Sequence, residues 1–308
     1  MTPIWVQHLF VLGMLLGGSH TSTSAADSWC YGDAQCGPAT WVALGQCNGT
    51  KQSPININTS AAVRAPQLGA LKLTGYGDAK KLKDMQNTGK TVYVHLEDGL
   101  QLSGPGLPAT YTAKSFHLHW GQGPDQPGSE HRINNQQYNL SVSDAAQDPE
   151  GIAVLAFFLQ ATDKAQPSRS WGNFTQCLKK VPVEGEDTDV DGSFSLQDLL
   201  GSVDLARYYR YRGSLTTPNC TEAVVWTVFP DPIVVQKDVV TAFASTLHST
   251  DSESGPLLKN NFRPMQSLGG RQVQASAALG TAHSASPAPR SAALIPLLLS
   301  TAALAWHL

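Results

Sequence analysis

Ser115-Phe116-His117-Leu118-His119-Trp120 has the period-two pattern of a strand whose two faces differ. His117 and His119 point to one face; Phe116, Leu118 and Trp120 point to the other. A fold that accepts this segment must bury three large apolar side chains on one side and hold a polar site on the other. Two imidazoles on one strand face make a bidentate grip for a metal. A catalytic zinc takes three protein ligands and leaves its fourth position to water. The third is not close in sequence, because Arg132 to Ala145 contains no histidine. The plainer reading is a pair of histidines facing the core.

The rest of the chain repeats the strand theme. Thr91-Val-Tyr-Val-His-Leu-Glu97 alternates, and Leu100 to Leu102 is its expected hairpin partner across Asp98-Gly99. Ile152 to Leu159 is continuously apolar, as in a strand buried on both faces. Ala223 to Phe229 and Ile233 to Val235 read as two more strands. Helical patterns are short, over Asp198 to Asp204 and Val239 to Leu247. The 27 Gly and 19 Pro punctuate the chain throughout. The expected fold class is mainly β: a single domain on a large, twisted, mostly antiparallel central sheet with short peripheral helices.

Both ends read as processing signals. Ile4 to Leu16 is apolar and Ser24-Ala25-Ala26 supplies small residues before Asp27, so residues 1–26 read as a secretory signal peptide. The domain is expected over residues 27–270. Residues 271–291 read as a spacer with an anchor site between Ser276 and Ser286. Residues 292–308 form an apolar tail, the pattern of a GPI (lipid-anchor) signal; a plain tail anchor is the alternative. This places the protein at the extracellular face of the plasma membrane. Five cysteines leave one over in an oxidising compartment. Asn48, Asn58, Asn139 and Asn173 head glycosylation sequons, whereas the sequon of Asn219 contains a candidate half-cystine, Cys220. A net charge of -3 without a basic stripe excludes nucleic acid as a partner.

Asp187-Thr-Asp189-Val-Asp191-Gly192-Ser-Phe-Ser195-Leu-Gln-Asp198 has the acid and glycine spacing of a calcium loop. Pro182 and Gly185 stand where its entering helix belongs, and an acidic solvated loop is the plainer reading.

Gly128-Ser129-Glu130-His131 and Gly213-Ser214-Leu215-Thr216-Thr217-Pro218 supply further chemistry. A hydroxyl that accepts the proton of a metal-bound hydroxide must pass its own proton to an acceptor such as a carboxylate. A Glu–Thr pair near zinc thereby orients the hydroxide. Zinc lowers the pKa of its water to near neutrality.

With these motifs the chain resembles the α-class carbonic anhydrases, nearest to their membrane-anchored extracellular branch. The matching segments are Trp29-Cys-Tyr31-Gly, Gln52-Ser-Pro-Ile-Asn-Ile57, Phe116-His-Leu-His-Trp-Gly121, Gly128-Ser-Glu-His131, Gly213-Ser-Leu-Thr-Thr-Pro218, Val225-Trp226 and Asn261-Phe-Arg-Pro264. They run in family order over nearly the whole domain. The resemblance implies disulfides Cys30–Cys36 and Cys47–Cys220, leaving Cys177 as the odd thiol. It implies Zn2+ as cofactor, with His117 and His119 as two ligands. It gives Thr216 the orientation of the hydroxide and Glu130 the role of accepting from Thr216. Thr217 lines the site, and Val154, Leu215, Val224 and Trp226 form the apolar wall for carbon dioxide. Sulfonamide-type inhibitors would bind wherever zinc is held.

Two departures stand out. The family carries its third histidine on a strand after the Ser-Glu-His segment, in a Glu-x-His-x-Val-His-like motif that is missing here. If Tyr138 keeps the aromatic position opening that strand, Ser143 falls at the ligand position, and a neutral hydroxyl is a poor zinc ligand. Asp144 would enter only by a register slip. Alternatively, Asn139 to Asp144 belongs to the following turn and the strand is missing outright. The other departure is Lys90, at the position of a proton-relaying histidine; a lysine titrates near 10 in model peptides, so it relays protons poorly at neutral pH. The expected function is zinc-dependent reversible hydration of carbon dioxide to bicarbonate at the cell surface, impaired by the missing ligand. The rivals are a catalytically inactive extracellular binding module of the same family and, last, a calcium-dependent adhesion domain.

Overall fold

A computed structural model describes residues 29–148 and 151–280. The expected signal peptide and lipid-anchor signal lie outside the described residues. Among the described residues no helix is long and apolar enough to cross a membrane.

Fourteen strands occur among the described residues. The first seven are β1 (Asn56–Ile57), β2 (Val63–Ala65), β3 (Lys72–Thr74), β4 (Leu82–Asn87), β5 (Val92–Leu96), β6 (Gln101–Ser103) and β7 (Tyr111–Trp120). The others are β8 (Arg132–Ile133), β9 (Leu140–Asp148), β10 (Gly151–Ala161), β11 (Asp187–Asp189), β12 (Tyr209–Gly213), β13 (Val224–Val235) and β14 (Gln274–Ser276). All but β1 and β8 join one sheet in the order β11-β4-β5-β7-β9-β10-β13-β12-β14-β2, with β6 beside β7 and β3 beside β6. Its pairs are antiparallel except β10–β13 and β14–β2. The fold is thus mainly β with a large mixed sheet, as the alternation implied.

The sheet separates two apolar layers. Phe116, Leu118, Trp120, Val142, Leu155 and Phe157 belong to the larger one, which helices α1 (Arg169–Leu178), α2 (Leu196–Leu200) and α3 (Lys237–Thr246) cover with Trp171, Phe174, Leu199 and Phe243. Val154, Ala156, Phe158, Tyr211, Trp226 and Val228 form the other, with Leu215 packed on it. β10 therefore feeds both layers, which explains its unbroken apolar run.

Several sequence expectations need correction. β6 does not form a hairpin with β5; it pairs with β3 and β7, while β5 lies between β4 and β7. The two strands expected over Ala223–Phe229 and Ile233–Val235 are one, β13, which starts at Val224 and whose register against β10 shifts between Phe157 and Leu159. Helix α1 escaped notice because Gly172 interrupts a short pattern; Ser168 caps it and Trp171, Phe174, Cys177 and Leu178 are its buried side. α2 starts earlier than expected, at a capping box made by Ser195 and Asp198. That box also removes the calcium reading. Asp198 bonds Ser195, Asp191 accepts from Ser193 N at 2.9 Å, and Asp187–Asp189 is an edge strand on β4. The domain runs past residue 270, since β14 joins the sheet and Ser276 is fully buried.

Candidate metal centre

β7 brings His117 and His119 to one face with ring centroids 4.9 Å apart. His119 is buried and its Nδ1 pairs with the Asn261 backbone oxygen at 2.7 Å. A carbonyl only accepts, so Nδ1 carries the proton and Nε2 presents a bare lone pair. That Nε2 has no hydrogen bond and lies 3.3 Å from Glu130 Oε2, which has none either. Two buried lone-pair bearers at this distance call for a proton or a cation between them. His117 lies flat against Tyr93, centroids 5.8 Å apart and planes within 6°. Its Nδ1 is buried without a partner. Burial, and then the neighbouring His119, lower its pKa to about 3, which keeps it a neutral donor.

Glu130 reaches this place because its loop folds tightly over the end of β7. A Cβ on Gly128 would meet Gly121 N at 2.0 Å, so only glycine allows the approach. Glu130 Oε1 accepts from Arg263 N at 3.2 Å. The Arg263 guanidinium in turn holds Gln52, Ser53 and Cys47 and lies over Trp41. Glu130 and Thr216 are both buried, but no hydrogen bond joins Glu130 to the Thr216 hydroxyl among the described residues.

The loop with Thr216 and Thr217 is fastened from below. Ser53 N donates to Ser214 Oγ at 2.9 Å, Ser214 N donates to Ser53 Oγ at 3.1 Å, and Trp226 Nε1 donates to Ser214 O at 2.9 Å. The disulfides Cys30–Cys36 and Cys47–Cys220 both form, the second tying this loop to the N-terminal segment; Cys177 is free and buried. Val154, Val224 and Trp226 are buried together, and Val154 sits opposite Trp226 in the β10–β13 register. Lys90 stands apart, with Nζ 5.9 Å from the Trp29 ring centroid.

The strand left open in the sequence is present. β9 runs between β7 and β10, with Ser143 opposite His117 and Ser141 opposite His119. Residues opposite each other share a face, so both serines look toward the histidines. Glu130 N lies within 3.4 Å of Ser141 Oγ. Asp144 faces the other way, opposite Phe116, and accepts from the Tyr76 hydroxyl at 2.5 Å. No register slip carries it to the histidines. Among the described residues no group of three or more His, Cys, Asp or Glu side chains is placed to share a metal. The donor set therefore fits a cation in part, through His117 and His119. It does not fit zinc held by three protein ligands.

Tyr93, Asn261 and Arg263 had no assigned role in the sequence reading. Period-two parity on β5 was the available signal for Tyr93, which pairs with His117 across the strands. Asn58 and Asn48 are exposed and Asn173 is partly so. Asn139 needs correction as a glycosylation site. It is 9 % exposed, its Nδ2 donates to Pro124 O at 2.7 Å, and its Oδ1 accepts from Ala161 N at 2.8 Å.

Comparison with known proteins decides the family. The eukaryotic-type carbonic anhydrase model matches residues 36–277. The chain belongs to the carbonic anhydrase family. It is 35 % identical over 311 residues to carbonic anhydrase 4 of Oryctolagus cuniculus, covering 95 % of this chain and 97 % of that protein. It is 34 % identical to carbonic anhydrase 15 of Mus musculus, over 91 % and 93 % of the two chains. It is 33 % identical to carbonic anhydrase 12 of Homo sapiens, over 75 % and 68 %. The carbonic anhydrase family acts on carbon dioxide and bicarbonate and generally uses zinc.

Proposed function

We propose that this chain is a cell-surface carbonic anhydrase whose hydration of carbon dioxide is held to a low level by loss of one metal ligand. The observation that carries the reading is the pairing of Ser143 with His117 across β7 and β9. A neutral hydroxyl there leaves two imidazoles as the metal donors, and two ligands hold zinc far more weakly than three. The other parts of a carbon dioxide site support the family reaction. Val154, Leu215, Val224 and Trp226 offer an apolar wall, and Thr216 and Thr217 offer hydroxyls beside it. Glu130 is the acceptor for Thr216 in this reading. The apolar segments at residues 4–16 and 292–308 support secretion and a GPI anchor.

A binding module without catalysis is the second reading, favoured by the missing three-ligand group. One experiment separates the two. Zinc content and hydration rate, with and without a sulfonamide, are measured on the full chain and on Ser143→His. The wild type is expected to hold well under one zinc per chain, with slow, sulfonamide-sensitive hydration. Ser143→His should raise zinc affinity by more than about 100-fold and restore one metal per chain. No zinc and no hydration in the wild type would establish the binding module. One tightly held zinc with fast hydration would overturn the impairment.

A further inference from the structure

We propose that the edge of β12 left open beyond β14 carries a binding pocket for a tetrahedral oxyanion, a phosphate or sulfate ester. Tyr211 faces Trp226 on the histidine side of the sheet, so its neighbours Arg210 and Arg212 project from the other side, opposite Thr227 and Val225. Around this edge, with lining from both faces, Lys51, Gly106, Arg210, Tyr211, Arg212 and Arg271 enclose a cavity of about 390 Å³. Lys51 and Arg271 are far in sequence from the Arg210–Arg212 pair, so only folding brings the four cations together.

Arg210 is the anchor. It is 3 % exposed, its Nε donates to Thr227 Oγ1 at 2.9 Å and its Nη1 to Gly106 O at 3.0 Å. Its Nη2 is buried with no hydrogen-bond partner. No carboxylate pairs with this guanidinium, and burial pushes its pKa below the ordinary arginine value. A buried cation without a counter-charge is costly unless an anion arrives. Arg271 adds charge of the same kind. Its guanidinium donates to the carbonyls of Leu268, Arg212, Gln52 and Ser267 and stacks on Tyr211, and none of these neutralises it. Neither Lys51 nor Arg212 enters an ion pair among the described residues, and both are exposed at the mouth. Glu222 is the nearby acid: its Oε1 accepts from Lys51 N at 2.6 Å and Gln52 Nε2 at 2.8 Å, and its charge offsets part of that of Arg271, leaving the cluster with a net positive charge.

The number of donors selects the ligand. One guanidinium fork satisfies a planar carboxylate. Arg271 has committed its donors to carbonyls and adds charge; Arg212, Lys51 and the unpartnered Nη2 of Arg210 offer donors beyond a carboxylate's two oxygens and match a phosphate or sulfate. The cavity is also wider than a bare ion, so it admits the rest of an ester.

The test uses the full chain in detergent. The thermal midpoint is followed against inorganic phosphate, sodium acetate, and sodium chloride at matched ionic strength. Phosphate should raise the midpoint in a saturable way while chloride and acetate do not. Arg212→Gln, at an exposed site, should weaken phosphate binding about 5- to 10-fold and leave the phosphate-free midpoint unchanged. Arg210→Gln should abolish the phosphate shift; if it does not fold, Lys51→Gln combined with Arg212→Gln should abolish the shift in its place. Dibutanoyl phosphatidic acid distinguishes the source. A ten-fold preference for it over inorganic phosphate assigns a lipid headgroup, and equal affinity assigns a soluble ester. A chloride or acetate shift equal to that of phosphate, or variants that bind phosphate like the wild type, would overturn the proposal.

Discussion

β7 and β9 lie side by side in the sheet and face the same site, yet they are built very differently. β7 is held at its end by a buried network. Asn261 Oδ1 accepts from Trp120 N at 2.8 Å, its Nδ2 donates to Leu118 O at 3.1 Å and Lys90 O at 3.0 Å, and its carbonyl fixes the His119 tautomer. β9 presents Ser141 and Ser143 to the same space, and no hydrogen bond from the Ser143 hydroxyl occurs among the described residues. The backbone ladder of β9 is complete from Leu140 to Asp148 on the β10 side and reaches from Leu140 to Gln147 on the β7 side. A sheet thus tolerates a poor sequence in a central strand when backbone pairing is kept, because the ladder is indifferent to side chains. Metal chemistry is not indifferent, and there the two strands part.

The largest effect should fall on the β7 side. Asn261→Ala strips three hydrogen bonds, two of them buried and one partly so, and leaves Trp120 N, Leu118 O and Lys90 O without their Asn261 partner. It should cost about 3–5 kcal/mol in chemical denaturation, while Ser143→Ala should cost less than about 0.5 kcal/mol. Equal costs would break the contrast between a fastened strand and a substituted one.

A smaller effect sharpens the same contrast on the far face of β9. Asp144 is 1 % exposed, and burial pushes its pKa up to about 7 despite the Tyr76 hydrogen bond, which lowers it. The folded state therefore keeps a proton that the unfolded chain releases near pH 4. Stability from this group is full below pH 4 and is lost as pH rises through 7, because the unfolded state binds fewer protons there. Between pH 5 and 8 the loss should be about 2–3 kcal/mol. Asp144→Asn should remove that part of the slope, read as the difference between the two stability–pH curves. Parallel curves would mean that the carboxylate is stable when charged.

Much of this was legible in the sequence, and its failures have physical causes. Alternation over Ser115 to Trp120 located the two histidines and the buried face, because period two depends only on backbone geometry. The apolar run of β10 declared its double burial. The partner of β6 was not legible, since Asp98-Gly99 is a sound turn signal whatever strand the chain meets next. β9 was ambiguous for a different reason. Leu140-Ser-Val-Ser-Asp alternates, but its polar positions suit solvent as well as a metal face, and only register against His117 and Val142 against Phe157 separates these. Asn261 and Arg263 act through backbone atoms and buried carbonyls, which leave no pattern along a chain. The arginine pocket is likewise a product of folding.

The smallest effect concerns Lys90, at the rim of the β7 side. Its Nζ lies 5.9 Å from the Trp29 ring centroid, a cation–π contact worth about 0.5–1 kcal/mol at an exposed site. Its backbone carbonyl is already used by Asn261, so the side chain can change without disturbing β7. Lysine keeps its proton at neutral pH, whereas histidine exchanges one there. In a chain that also carries Ser143→His, Lys90→His should therefore raise hydration several-fold at pH 7 in low buffer, and the gain should shrink as buffer takes over proton transfer. The midpoint should fall by no more than the lost ring contact. A gain that persists at high buffer, or none at all, would place the limiting step at the metal and restore β9 as the sole difference between the two halves of the site.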